Sequence, residues 1–520
     1  MIFDSTGFRF PIQLEADLCV IGSGAGGSMV AMTAAEAGMR VILLEAGGFI
    51  TPDQMSQREE DMFPKLLWEA GSRLNTDKNI HLYQGKGTGG STLHNLNLIK
   101  RIPTEIIENW VQKRKLSQLS LKHWDDLYTE VEAVLGVSDI TLEMMNRHNQ
   151  IFQEGVQQLG WKGNLMRHNR LGCVRSGFCE LGCAYDAKNN ACKILLPRFI
   201  KAGGEVFTHC MATRILHRGG AAVGVEAVAI DKKNYAILGE ITVTAKRVCV
   251  SASATASAAI ILRSGIPFPE GSVGQTLRLH PAVMVAGEFN TPVRAWEGVP
   301  QSFECTEFLD FKSAIAEEET NIPKEIAAKA TRLWLVPAFA HPIGTATFLP
   351  EFGKNHQTVM ERYANMAVIT AMLHERSAGK INANEKTSFE IDYQLVLEDK
   401  LELLRGLRVC AEVLFAAGAK RVIIPVYPSL ELFQVNDIQK ITLENTLENG
   451  LELAAVHPMG SIPMGDGDVP SATDSSGKFR HLKNLWVADG SLFPTSIGVP
   501  PQLSIYALGL HVGKNIVANS

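Results

Sequence analysis

The chain has 520 residues, room for two to four domains at roughly 150 residues each. Hydrophobic residues make up 46% and charged residues 20%, which excludes a disordered, collagen-like or disulfide-scaffold protein. A formal net charge of −5 argues against non-specific nucleic-acid binding, which needs an excess of Lys and Arg to neutralise phosphates.

Residues 1–17 contain Asp4, Arg9 and Glu15 and no apolar run, so no secretory leader is expected and the chain reads as cytoplasmic. The apolar stretches at 221–230 and 364–373 fall short of the roughly 20 residues of a spanning helix, so no transmembrane segment is expected.

In chain order, ADLCVI (16–21) predicts a short buried strand. Gly22, Gly24, Ala25, Gly26 and Gly27 follow as a turn, residues 28–38 read as a helix, and RVILLEAG (40–47) as a second strand ending at Glu45 and Ala46. The glycines let a backbone approach a pyrophosphate at the helix N-terminus, and the acid accepts a ribose hydroxyl. FAD and NAD both fit such a unit. In LYQGKGTGGSTLHN (82–95), Gly85, Gly87, Gly89 and Gly90 oppose regular structure and suggest a backbone closing on a ligand, with Ser91, His94 and Asn95 beside it.

Nine cysteines are present, and Cys173, Cys179, Cys183 and Cys192 cluster in GCVRSGFCELGCAYDAKNNAC (172–192). An odd count in a large chain is no disulfide framework, and the spacing is not that of paired zinc ligands. Residues 395–419 read as a helix. NLWVADGS (484–491) reads as a strand ending at Asp489, Gly490 and Ser491. Pro500 and Pro501 form a turn, and residues 502–517 a final helix.

Taken together these segments resemble the glucose–methanol–choline family of FAD-dependent oxidoreductases. The resemblance rests on the first unit, on QGKGTGGSTLHN as a flavin-cradling signature, and on RVCVSASATASAAIILRSGIP (247–267), where Ser253 replaces the usual glycine. It extends to VGQTLRLHP (273–281), HPMGSIPMG (457–465) and VADGSLFPTSIG (487–498). The resemblance implies an α/β fold, α+β overall. A Rossmann-like FAD-binding lobe, discontinuous in sequence, would take 1–105, 186–289 and 456–520. Residues 106–185 would connect and carry the cysteines, and 290–455 would build a substrate lobe on a largely antiparallel sheet.

The same resemblance implies hydride transfer from an alcohol carbon to flavin N5, with His457 as the base. It implies FAD, either covalently attached through His94 or in non-covalent contact with it. The family's second catalytic His or Asn aligns with Pro500, which has no side-chain donor or acceptor. Gln502, His511 or His374 are the candidates to replace it. The more apolar wall at Pro500 predicts a bulky, largely apolar alcohol. The electron acceptor would be oxygen, a quinone or a cytochrome. Other readings are a lyase or decarboxylase on the same fold, or a sugar dehydrogenase with an iron–sulfur cluster on Cys173, Cys179 and Cys183. A small partner subunit near those cysteines would accompany the last reading.

Overall fold

The computed structural model describes residues 1–319, 331–338, 341–349, 351–383 and 385–519. Two large sheets organise them. The first runs Ile2–Asp4, Glu205–Thr208, Val41–Leu44, Ile12–Ile21, Ile237–Val250, Ala221–Ile230 and Cys210–Arg218, with Leu485–Val487 also beside Ile237–Val250. Its central pairings are parallel. Leu18, Cys19 and Val20 have no solvent exposure, as expected for a parallel strand covered on both faces.

Strand Ile237–Val250 is long enough to serve two neighbours along one edge. Its first half pairs antiparallel with Ala221–Ile230, and its last residues pair in parallel with Leu485–Val487. The strand Ile12–Ile21 begins earlier than the apolar run alone suggests, because its first residues alternate between half-buried and exposed positions. Helix Ala25–Glu36 is buried between this sheet and the last helix, Gln502–Ala518.

The second sheet runs Leu430–Leu432, Arg421–Ile424, Ala282–Glu288, Met366–Leu373, Leu333–Pro337, Phe303–Cys305 and Gly163–Leu165. These pairings are all antiparallel. Helix Leu397–Ala416 packs on it through Leu403, Leu407 and Leu414. The sheet draws on more of the chain than residues 290–455. Ala282–Glu288 is a central strand, Gly163–Leu165 is an edge, and Ile80–Leu82 joins by pairing with Leu453–Ala455.

Those crossings bring two distant segments together. Ala282 lies opposite Ala454, and Arg278 lies opposite Met459. That register puts His280 across from Val456 and His457.

Gly26 is the tightest point of the first lobe. A side-chain carbon there would collide with the Ala488 carbonyl, just past the Leu485–Val487 strand. Gly26→Ala is expected to cost more than ~2 kcal/mol, read as a drop in the denaturant midpoint of the apoprotein.

Candidate active site

The Gly-rich turn and the ends of the first sheet's strands form one end of a cavity of about 800 Å³. Gly22 holds φ +92°, and a side-chain carbon there would meet the Ser251 carbonyl. Gly24, Ala25, Gly26, Glu45, Ala46, Ser251, Asp489 and Gly490 line the same end. Glu45 is buried and accepts hydrogen bonds from Ser23 N at 3.1 Å, Ser23 Oγ at 2.5 Å and Gly47 N at 2.8 Å. Burial pushes its pKa up, and these donors oppose the shift. Asp489 accepts from Ser257 Oγ at 2.5 Å and Ser491 N at 2.9 Å.

Residues 85–95 form the next wall. Gly85, Gly90, Ser91, His94 and Asn95 line the cavity. Gly27, Gly87 and Gly89 stand behind it, where Gly89 N donates to Ser23 Oγ at 2.9 Å and joins the two Gly-rich segments. His94 Nε2 is buried without a hydrogen-bond partner, and burial, then the nearby Lys188, lower its pKa to about 3. Lys188 itself is fully buried and donates to the carbonyls of Leu93 (2.8 Å), Asn95 (2.6 Å) and Cys179 (2.8 Å). It pins this loop to the cysteine segment. Ser253, in the expected glycine position, keeps the left-handed conformation at φ +77°. Its hydroxyl accepts from Gln84 Nε2 at 2.9 Å.

The other end of the cavity is bounded by the second sheet through Ala282, Met284, Thr370 and Met372. His457 lines it, and its Nδ1 lies 2.9 Å from Nδ1 of His280, so one ring donates and the other accepts. Nε2 is then the His457 nitrogen left for the cavity. Burial, then His280, hold the His457 pKa well below 6.5, and burial lowers that of His280 to about 3. His280 adopts φ +55°, and Glu375 fixes it there by accepting from Leu279 N at 2.6 Å and His280 N at 2.8 Å.

The candidate replacements for the missing second group divide. Gln502 lines the cavity, but its amide is committed: it accepts from Asn95 Nδ2 and donates to Asn169 Oδ1 at 3.2 Å and toward Leu98 O at 3.5 Å. His374 Nε2 donates to Ser496 O, 3.1 Å away, behind the cavity wall. The catalytic expectation for His511 is corrected: it lies outside the cavity, bonded to His123 at 3.0 Å and Ser475 O at 2.9 Å, where it ties helix Leu121–Leu135 to the last helix. The group beside His457 is instead His280, in the VGQTLRLHP stretch. The His-Pro pair before an apolar strand was the only signal for it, and chain distance hid its partner.

The cysteines are free thiols. Cys173 accepts from Arg175 N at 3.4 Å and Cys183 from Ala187 N at 3.3 Å. Cys192 donates to Thr88 O at 2.5 Å. Among the described residues no three His, Cys, Asp or Glu side chains group to hold a metal ion. No helix among them is long and apolar enough to cross a membrane.

Family models described as GMC oxidoreductase match residues 63–282 and 376–509. The chain belongs to the GMC oxidoreductase family. An uncharacterized GMC-type oxidoreductase of Mycobacterium tuberculosis is 29% identical over 98% of this chain and 77% of its own length. The long-chain-alcohol oxidase FAO4A of Arabidopsis thaliana is 26% identical over 97% of this chain and 69% of its own. Among solved structures, pyridoxine 4-oxidase from Mesorbium loti superposes with a TM-score of 0.70 at 16% identity, covering 96% of this chain and 98% of that one. Formate oxidase gives 0.67 at 15%, covering 98% and 99%. This GMC protein is an FAD-dependent oxidoreductase acting on CH–OH donors. The residues present fit FAD: the crowded Gly22 and Gly26 backbone opens onto the cavity, and His94 keeps an unpaired nitrogen in its wall.

His511→Ala is expected to lower stability by ~2 kcal/mol through lost hydrogen bonds and packing, with alcohol oxidation within about two-fold of wild type because the group is remote from the site. Paired thermal melts and steady-state rates check both halves.

Proposed function

We propose that this GMC oxidoreductase oxidises a bulky, largely apolar alcohol, with His457 as the base and oxygen as the electron acceptor. The observation that carries this reading is the 2.9 Å contact between the Nδ1 atoms of His457 and His280. With His457 Nδ1–H donating to His280 Nδ1, it orients the His457 ring and leaves Nε2 unprotonated to take the hydroxyl proton. Bound FAD supplies the hydride acceptor.

His457 is held neutral by burial, so it is already in the proton-accepting form across the ordinary pH range. His280 acts through it, as the partner that fixes its ring. Asn95, held by Gln502, and His94 stand on the wall nearest the Gly-rich loop and are proposed to contact the flavin. Ala282, Met284, Met372 and Pro500 supply apolar surface for the substrate, which favours a long or bulky alcohol over a sugar. The names of the plant relatives, long-chain-alcohol oxidases, support the same substrate class and oxygen as acceptor.

Anaerobic mixing of the yellow holoenzyme with dodecanol is expected to bleach the flavin, and glucose and choline to bleach it far more slowly. A clear preference for glucose would refute the apolar reading. His457→Ala is expected to slow bleaching by ~10²–10⁴-fold.

The pH profile gives a second check. Because the His457 pKa is depressed, wild-type kcat/KM should not fall as pH drops through 6.5. His280→Ala removes one cause of that depression, so the acid limb should move to higher pH. An unmoved limb would remove His280 from the mechanism. For the flavin wall, His94→Ala is expected to release FAD at least about ten-fold faster, followed by the recovery of free-flavin fluorescence.

A further inference from the structure

Four carboxyl side chains line the cavity, and three are accounted for. Glu45 is bonded to Ser23 and Gly47, Glu69 pairs with Arg73 at 2.6 Å, and Asp489 is bonded to Ser257 and Ser491. The fourth, Glu180, has no hydrogen-bond or ion-pair partner among the described residues.

Glu180 sits in the short turn Cys179–Leu181. Leu181 anchors that turn from behind in a small core with Met62, Leu66 and Leu67. Lys188 holds it by the Cys179 carbonyl. The carboxyl is half-buried and shares its wall with Phe63, Leu67, Tyr83 and Phe348, all apolar or aromatic. Neighbouring Glu59 cannot help, because both its oxygens accept from the backbone of Ile343 and Gly344 at 2.7 Å. Lys188 is committed to three carbonyls. The carboxyl therefore opens onto the cavity uncommitted, with both oxygens free to bond a ligand.

We propose that Glu180 recognises a second hydroxyl on the substrate, remote from the one that is oxidised. This rests on the reading of the cavity as an alcohol site and narrows its substrate class to apolar molecules with two separated hydroxyls. Burial, with Glu59 adding, raises the Glu180 pKa to about 8. The protonated carboxyl has one donor and a free acceptor, which matches a hydroxyl. An aliphatic alcohol with no second polar group would leave the carboxyl unpaired.

The test compares α,ω-alkanediols with primary alkanols of matched length on the holoenzyme. Wild type is expected to favour a diol of fitting length by about ten-fold or more in kcat/KM, the scale set by a site built to bond a hydroxyl. Glu180→Leu should bring that ratio to about one, and Glu180→Gln should keep part of it, since an amide also donates and accepts. A wild type without diol preference at any length, an unchanged ratio in both variants, or a stronger preference for ω-amino alcohols would overturn the proposal. If no alcohol bleaches the flavin, the alcohol reading falls. The ratio of diol to alkanol dissociation constants, from the flavin absorbance shift, then tests Glu180 separately, and the same ratio in wild type and Glu180→Leu would overturn it.

Discussion

The fold depends on one crowded meeting point, where three distant parts of the chain close around the N-terminus of helix Ala25–Glu36. Ser251 N donates to Ile21 O at 2.8 Å, Ala488 N donates to Val250 O at 2.9 Å, and Ser251 Oγ donates to Ala488 O at 2.7 Å. Gly26 fits against Ala488 only because it has no side chain. Gly509 of the last helix meets Gly26 from the other side. The first and last segments are therefore halves of one dinucleotide cradle. The last helix then does further work, since Gln502 in its first turn fixes Asn95 in the flavin-facing loop.

The histidine pair shows how a buried site keeps a base ready. Taking two imidazoles out of water disfavours their charged forms, and His280 adds to the effect at His457. The pair stays neutral without a carboxylate at its side. Glu375 is close in sequence to His374 but spends its accepting oxygen on the backbone of Leu279 and His280. That bond holds the left-handed backbone which turns His280 toward His457, a conformation that a non-glycine residue adopts only when its surroundings enforce it.

The parts of this arrangement governed by local pattern were legible in the sequence. The strand, Gly-rich turn, helix and Glu45 follow from apolar runs and glycine spacing, and the final helix follows from Pro501 and the apolar face of residues 503–516. Features set by long-range register were not. His280 and His457 are 177 residues apart, and the antiparallel pairings of Ala282 with Ala454 and of Arg278 with Met459 bring them together. Lys188 in sequence is one cation among fifty Lys and Arg, and nothing local predicts that three carbonyls will surround it. His511 misled because helical periodicity places it on the buried face without saying which neighbour it buries against.

The polar inventory of the cavity shows what must drive substrate binding. Gln502 is used up in holding Asn95 and Asn169, and Gln301 Nε2 donates to Pro337 O at 3.0 Å. Pro500 offers nothing to a polar ligand. Along the second sheet stand Ala282, Met284 and Met372, interrupted by Thr370, and methionine side chains adapt to varied apolar shapes. Affinity there comes from area removed from water, at ~0.8 kcal/mol per buried CH₂, so each added methylene that fits is worth about four-fold. Such a gradient selects for size but says nothing about which end of a chain is oxidised. Orientation has to come from the few polar atoms at fixed places, among them Nε2 of His457 at one wall and the carboxyl of Glu180 at another.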